Sequence, residues 1–305
     1  MQPTSGCIFP MPIQYVGRFA PSPTGPLHLG SLLAALASFL DARSQQGQWL
    51  LRIEDLDPPR EQSGARDEIL QALRVHGLEH DGEICFQSQR SKRYVEVLEQ
   101  LLSQRKLFPC RCSRQTLNAS GGIHNGRCEH ANIPLNSPNW AWRLACDNQT
   151  VVFTDALQGT QSQSLQNDVG DFVLLRKDGL FAYQLAVVVD DIDYGVTHIV
   201  RGRDLMDSTA RQIFLYQTLG QQPVQYSHLP LIVNAHGQKL SKQNHAPALK
   251  FERATENLHD CLHMLGQNPP PDLRHSDCET LLHWAIEHWN LHRVPQQLPN
   301  DTNNA

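Results

Sequence analysis

The feature that most constrains this chain is a strand that turns through proline and glycine straight into an apolar helix. Tyr15 to Ala20 is β-prone, and Pro21-Ser22-Pro23-Thr24-Gly25-Pro26 forms a loop. Leu29, Leu32, Leu33, Leu36, Phe39 and Leu40 then recur at helical spacing, which predicts a helix with one face on a core. Gln48 to Ile53 reads as a buried strand, so strand, helix and strand follow within about forty residues as a right-handed βαβ unit. The N-terminus of such a helix offers unpaired N–H groups and a positive dipole end to a polyphosphate. His28 stands just before it, where an imidazole could donate to a phosphate oxygen. A helix cap or a surface position accounts for His28 equally well, and this stretch alone does not choose.

A second segment bears on the choice. Lys239-Leu240-Ser241-Lys242-Gln243 follows a β-prone run, Leu229 to Val233, and a loop ending at Gly237. Together, in this order and about two hundred residues apart, the two segments resemble the paired HIGH and KMSKS signatures of class I aminoacyl-tRNA synthetases, which lie on one Rossmann-like domain.

Between them, Glu54-Asp55-Leu56-Asp57-Pro58-Pro59-Arg60 follows the second strand, where open α/β sheets bind ligands. Gln62 to His76 looks helical, so part of this acidic loop serves as its cap; Glu54 is assigned to the ligand and Asp57 to structure. Lys92 to Lys106 is an amphipathic helix. Beyond it, Cys110, Cys112, His124 and Cys128 have the residue types of a tetrahedral Zn²⁺ site, with His130 a competing imidazole and scattered free thiols the plainer reading. His124 is preferred because Gly121, Gly122 and Gly126 free the backbone around it. Four protein ligands would make the site structural.

Trp140 to Ala145, Val151 to Thr154 and Phe172 to Arg176 read as short strands, and the polar stretch Gln158 to Asn167 as a solvated loop. Leu180 to Asp191 is mostly core; Tyr183 is its polar-tipped aromatic, and Asp190 and Asp191 either cap or line a site. Arg201, ending the strand-like run Gly195 to Val200, either forks onto a ligand carboxylate or pairs with a local Asp. Ser208 to Leu219, Glu252 to Leu265 and Glu279 to Leu291 read as helices, and Asn300 to Ala305 as a frayed end.

Composition excludes some classes. At 305 residues with 40% hydrophobic and 19% charged content, the chain is an ordinary globular protein, with no membrane-spanning run or signal peptide expected. A net charge of −5 argues against a wholesale nucleic-acid binder but not against an enzyme with one basic face. Eight cysteines without an export signal point to a reducing compartment, so a cytoplasmic location is expected.

Arg18 to Gly25 is similar to the start of glutamyl-tRNA synthetases, and Arg52-Ile53-Glu54-Asp55-Leu56-Asp57 continues the likeness up to about residue 250. With the Cys-x-Cys pair, Gly121-Gly122-Ile123-His124-Asn125-Gly126-Arg127-Cys128 and Lys239 to Ala248, the chain resembles the glutamyl-queuosine tRNA(Asp) synthetase family. The resemblance implies an α/β, Rossmann-like class I catalytic domain with a zinc-containing α+β insertion, a short C-terminal helical region and no anticodon-binding domain. The expected division is an extension (1–14), a first catalytic half (15–106), the insertion (107–180), a second half with the lysine loop (181–249) and a helical C-terminal region (250–305).

The implied activity is ATP-dependent formation of glutamyl-adenylate, then transfer of glutamate to the queuosine base at the wobble position of tRNA(Asp). Carried over by position, Arg18, Phe19, Ala20, Pro21, Ser22, Glu54, Tyr183 and Arg201 would hold L-glutamate. His28, Gly30, Ser31, Lys239 and Lys242 would bind ATP with Mg²⁺, His28 and Lys242 acting in catalysis. One structural Zn²⁺ would sit on Cys110, Cys112, His124 and Cys128, in a monomer without a membrane partner. Ser31, Leu240 and Gln243 depart from the fuller signatures, and His124 stands where relatives carry Tyr. The alternatives are a glutamyl-tRNA synthetase catalytic fragment charging the 3′ end, a non-catalytic tRNA-binding paralogue and a generic Rossmann nucleotidyltransferase. The last does not explain Arg18, Glu54 and Arg201 together.

Overall fold

The computed structural model describes residues 14–298 apart from 120–121, 125, 127, 129–132 and 233–247. The frame is parallel sheet. β1 (Val16–Phe19) pairs with β2 (Gln48–Ile53), which pairs with the short β3 (Cys85–Phe86). A second parallel ladder joins β9 (His198–Gly202) to β10 (Gln225–Leu229). The ladders meet where Thr197 N–H donates to Val16 O at 2.9 Å. Strand order therefore reverses between β1 and β9, and a crevice at the carboxyl ends of those strands is where such sheets bind ligands.

Helix α1 (Leu29–Ser44) fills the β1–β2 crossover. The apolar spacing predicts one buried face; instead Ala35, Ala37, Ser38 and Asp41 are buried along with the leucines. Helices α7 (Ala254–Met264) and α8 (Cys278–His288) close over the side that sheet does not cover, which is why so apolar a helix is stable here. Leu32, Leu36, Leu40, Trp49, Leu258 and Leu281 form this core, each fully buried leucine contributing roughly 1.5–3 kcal/mol. A second core joins α3 (Ser91–Ser103), α5 (Tyr183–Asp193) and α6 (Met206–Thr218) around Tyr94, Leu98, Leu185, Val188 and Tyr216. Helix α2 (Ala65–Val75) follows the acidic loop as expected.

Between α3 and α5 lies a separate antiparallel sheet, β4 (Leu107–Cys110), β5 (Ala141–Leu144) and β8 (Phe172–Leu175), with the short α4 (Arg114–Ala119). Beside it runs a hairpin of β6 (Thr150–Asp155) and β7 (Gly159–Ser164). The hairpin corrects the reading of Gln158 to Asn167 as a solvated loop. β7 has no apolar alternation, and its place is fixed by β6 and by a turn whose Gly159 sits at φ +71°. The strand expected over Leu229 to Val233 also lies earlier, over Gln225–Leu229, because Pro230 lacks the N–H that would extend the ladder.

Candidate active site

At the β1–β9 crevice a cavity of about 520 Å³ gathers Arg18 and Phe19 from β1, Ala20, Pro21 and Ser22 from the following loop, Glu54 beyond β2, Tyr183 at the start of α5 and Arg201 at the end of β9. Every residue assigned to glutamate from the sequence lines this one cavity, and Ser31 of α1 joins them. Glu54 N–H donates to Pro21 O at 3.0 Å, so the acidic loop is laced to the proline loop and the carboxylate enters beside Arg18.

The charges are held from behind. Arg18 forks onto Asp191, Nε at 3.3 Å and Nη2 at 3.5 Å, with both side chains buried. Arg52 sits 2.5 Å from the same carboxylate and 3.3 Å from Glu54 Oε1. Asp191 is held below the usual carboxylate range: burial opposes this, but Arg52 and Arg18 outweigh it. Glu54 moves the other way, pushed up by burial more than Arg52 and Arg18 pull it down. A carboxylate poised this way gains most when a cation enters the cavity. Burial and the nearby Glu54 likewise raise the Tyr183 phenol.

Asp190 and Asp191 are buried on α5 behind the cavity wall, Asp190 accepting from Gln87, Arg90 and Tyr94. Sequence reasoning left these two open and missed Arg52, whose signal was an arginine inside an otherwise apolar strand. Of the two alternatives given above for Arg201, the pairing with a local Asp is absent among the described residues. Its guanidinium donates to His228, Gln212, Leu205 O and Thr209, and no protein carboxylate pairs with it among the described residues.

His28 caps α1: its Nδ1 accepts the Ser31 N–H at 3.3 Å. In a neutral ring this puts the proton on Nε2, so the capping role and a phosphate-donating role use different nitrogens. The first turn of α1, which contains Gly30 and Ser31, carries no acidic side chain against the helix's positive end. Lys239 and Lys242 lie outside the described residues. The chain that leaves them returns at Ala248, which bridges antiparallel to His28, with Leu249 N–H on Leu27 O at 3.2 Å.

Away from this cavity Cys110, Cys112, His124 and Cys128 present donor atoms that all lie within 4.8 Å of one another. His124 Nε2 is 3.4 Å from Cys110 Sγ, and Cys112 and Cys128 sulfurs are 3.1 Å apart. Asp171 Oδ2 takes His124 Nδ1 at 2.9 Å, which leaves Nε2 for the cluster. His130 lies outside the described residues. Burial and the neighbouring thiols push Cys128 up to about 12, whereas Cys110 is drawn down: burial opposes it, but the Cys112 N–H and Arg143 prevail. Three sulfurs and one nitrogen at such spacing are a donor set suited to a tetrahedral divalent ion.

A larger cavity, about 850 Å³, opens among Leu98, Leu102, Trp140, Arg176 and Phe181. None of the described residues assigned to glutamate or nucleotide lines it, so chemistry rather than volume selects the site.

The crevice of this parallel sheet, with its capped helix start, its paired arginines and its buried glutamate, lies within a class I aminoacyl-tRNA synthetase catalytic domain. The family described as "tRNA synthetases class I (E and Q), catalytic domain" matches residues 14–264. Within that class the chain belongs to the glutamyl-Q tRNA(Asp) synthetases. It is 46% identical to the glutamyl-Q tRNA(Asp) synthetase of Vibrio cholerae, over 94% of either chain. The enzyme of the same name from Chromobacterium violaceum is 49% identical over 93% of this chain and 98% of its own. Among solved structures, the glutamate-tRNA synthetase of Elizabethkingia anophelis superposes with TM-score 0.79 at 25% identity, covering 95% of this chain and 68% of that one. The glutamate tRNA ligase of Elizabethkingia meningosepticum, solved in complex with its amino acid, matches equally well, at TM-score 0.79.

Proposed function

We propose that this chain activates L-glutamate with ATP and transfers it to the cyclopentenediol of queuosine at the wobble position of tRNA(Asp). The observation that carries this is a family-wide likeness to glutamyl-Q tRNA(Asp) synthetases, 46% identical over 94% of the chain, joined to one cavity that collects every residue assigned to glutamate. Arg18 and Arg201 meet the ligand's two carboxylates, and Glu54 meets its α-ammonium. Ala20, Ser22 and Tyr183 shape the floor between them.

The α-carboxylate oxygen attacks the α-phosphorus of ATP in line; a new O–P bond forms and pyrophosphate leaves with the electrons of the broken one. His28 Nε2–H, the α1 N-terminus with Gly30 and Ser31, and the lysines Lys239 and Lys242 stabilise the charge that grows on the phosphates. A hydroxyl of the diol then attacks the adenylate carbonyl, giving an ester and AMP. Positioning and charge stabilisation carry the rate, so no protein nucleophile is needed. Mg²⁺ accompanies ATP as part of that substrate. Cys110, Cys112, His124 and Cys128 would hold one Zn²⁺, which staples the insertion at 107–180 between the catalytic halves 15–106 and 181–249. The enzyme works as a cytoplasmic monomer, where its tRNA is.

Likeness to solved glutamate-tRNA synthetases favours a second reading, esterification of the tRNA 3′ end. Charging tRNA(Asp) with labelled glutamate and mapping the ester by nuclease digestion separates the two. Label on the anticodon fragment, dependent on queuosine, is the expected result; label on the 3′-terminal adenosine overturns the proposal.

A further inference from the structure

Arg201 rests on a buried chain that begins in the insertion. Asp155 ends β6; its Oδ2 lies 2.6 Å from Nδ1 of His228 on β10, and both side chains are fully buried. His228 Nε2 lies 3.0 Å from Nε of Arg201 on β9. The other carboxylate oxygen, Oδ1, is already committed to the backbone N–H groups of Leu157, Gln158 and His228 at 3.0, 2.9 and 3.2 Å. An ionised carboxylate accepts only, so Nδ1 must carry the proton, and the ring's lone pair falls on Nε2, where an arginine N–H can use it. Charges agree with this. Burial would raise Asp155, but the His228 hydrogen bond holds it low, while burial, aided by Arg201, lowers the His228 imidazole against the pull of Asp155. The hairpin is fastened at the same point, Ala156 N–H reaching Tyr226 O at 3.0 Å and Gln158 Nε2 reaching His228 O at 2.9 Å.

Arg201 also donates to Gln212, Leu205 O and Thr209 and stacks over Tyr226 at 5.0 Å. With these contacts most of its five N–H groups serve to aim it, and its charge has no protein carboxylate partner among the described residues. We infer that Asp155 and His228 are positioning residues for amino-acid binding: Asp155 fixes the Nδ1–H tautomer of His228, whose Nε2 then aims Arg201 at the substrate carboxylate. A residue of the insertion thereby sets the grip of a pocket it does not line. This rests on reading the cavity as the glutamate site.

Asp155→Asn isolates the tautomer. The amide oxygen can keep the turn contacts, while its NH₂ donates to Nδ1 and forces the ring proton onto Nε2, against Arg201 Nε–H. In ATP–pyrophosphate exchange D155N should raise the glutamate KM by about 10- to 100-fold with the ATP KM unchanged. In ¹⁵N imidazole spectra, His228 should be neutral Nδ1–H in the unaltered enzyme. H228Q, which still offers an acceptor oxygen, should bind glutamate better than H228L, and this pair decides the matter should D155N not fold. An unchanged glutamate KM in D155N, equal rises in both KM values, equal H228Q and H228L, or a wild-type spectrum showing Nε2–H or imidazolium overturns the relay. Absence of glutamate-dependent exchange in the unaltered enzyme overturns the reading of the pocket and the relay with it.

Discussion

Arg18 of β1 and Asp191 of α5 are joined by a buried fork at 3.3 and 3.5 Å, and Arg52 shares the same carboxylate at 2.5 Å. One aspartate thus anchors two cations behind the amino-acid cavity. Asp191→Asn leaves the buried Arg18 guanidinium without its anion and Arg52 with only Glu54 at 3.3 Å and Asp190 at 3.8 Å, and should cost about 3–5 kcal/mol of stability in urea unfolding. Asp191's carboxyl is depressed in the folded protein. Its contribution is therefore present above the ordinary carboxylate pKa of about 3.9 and is lost as pH falls below that through the folded value. The D191N protein should show a shallower loss of stability across this acid window.

Glu54 carries the opposite sign. Burial raises its pKa, so in the free enzyme its ionised form costs stability that returns as pH falls through the raised value. Glu54→Gln should be as stable as the parent at neutral pH or more so, by thermal unfolding, while its glutamate KM rises about 10- to 100-fold. In the parent, glutamate KM should climb as pH drops below the raised pKa; in E54Q this climb should vanish.

His28 can be split into its two nitrogens. Asn is a good N-cap, so His28→Asn should hold the melting temperature while exchange kcat falls roughly 10²-fold for want of the Nε2–H donor. His28→Ala should lose about 1 kcal/mol in addition. Equal kcat in H28N and the parent would leave His28 a cap alone.

Asp171 orients His124 from the far side of the ring at 2.9 Å. Asp171→Asn should weaken zinc binding about 10- to 100-fold in chelator competition with the stoichiometry kept. C110S and C128S should lose the ion and loosen the insertion, seen as faster amide exchange there, before ATP affinity changes. Unchanged zinc content in both serine variants would reject the site.

From the residues themselves only Glu54 was assigned to a ligand, because it follows a buried strand where open α/β sheets bind; the rest of the cavity set came from the resemblance to glutamyl-tRNA synthetases. The cysteine cluster was legible from residue type alone. What lies one layer behind was not. Arg52, Asp155 and His228 are polar residues inside apolar or polar runs, and only the pairing of distant strands gives them partners. The β6–β7 hairpin was missed for a related reason: Gln161, Ser162 and Gln163 hold a strand through backbone ladder bonds to β6, which no side-chain periodicity announces. The local Asp that Arg201 might have paired with is replaced by His228, Gln212, Thr209 and Leu205 O, a set of partners that neighbours in the chain do not announce.

Ala248 bridges back to His28, and Arg18 relies on Asp191, so neither half of the site exists locally along the polypeptide. At about 5–20 residues per second, residue 248 leaves the ribosome roughly 10–40 s after residue 28. Closing so long a loop must precede any reward from the contact, which places the bridge between His28 and Ala248 among the last folding events. A nascent or clipped chain would therefore hold the glycine- and proline-rich loop without the bridge from Ala248. The two ends of the crevice meet only once the fold is complete.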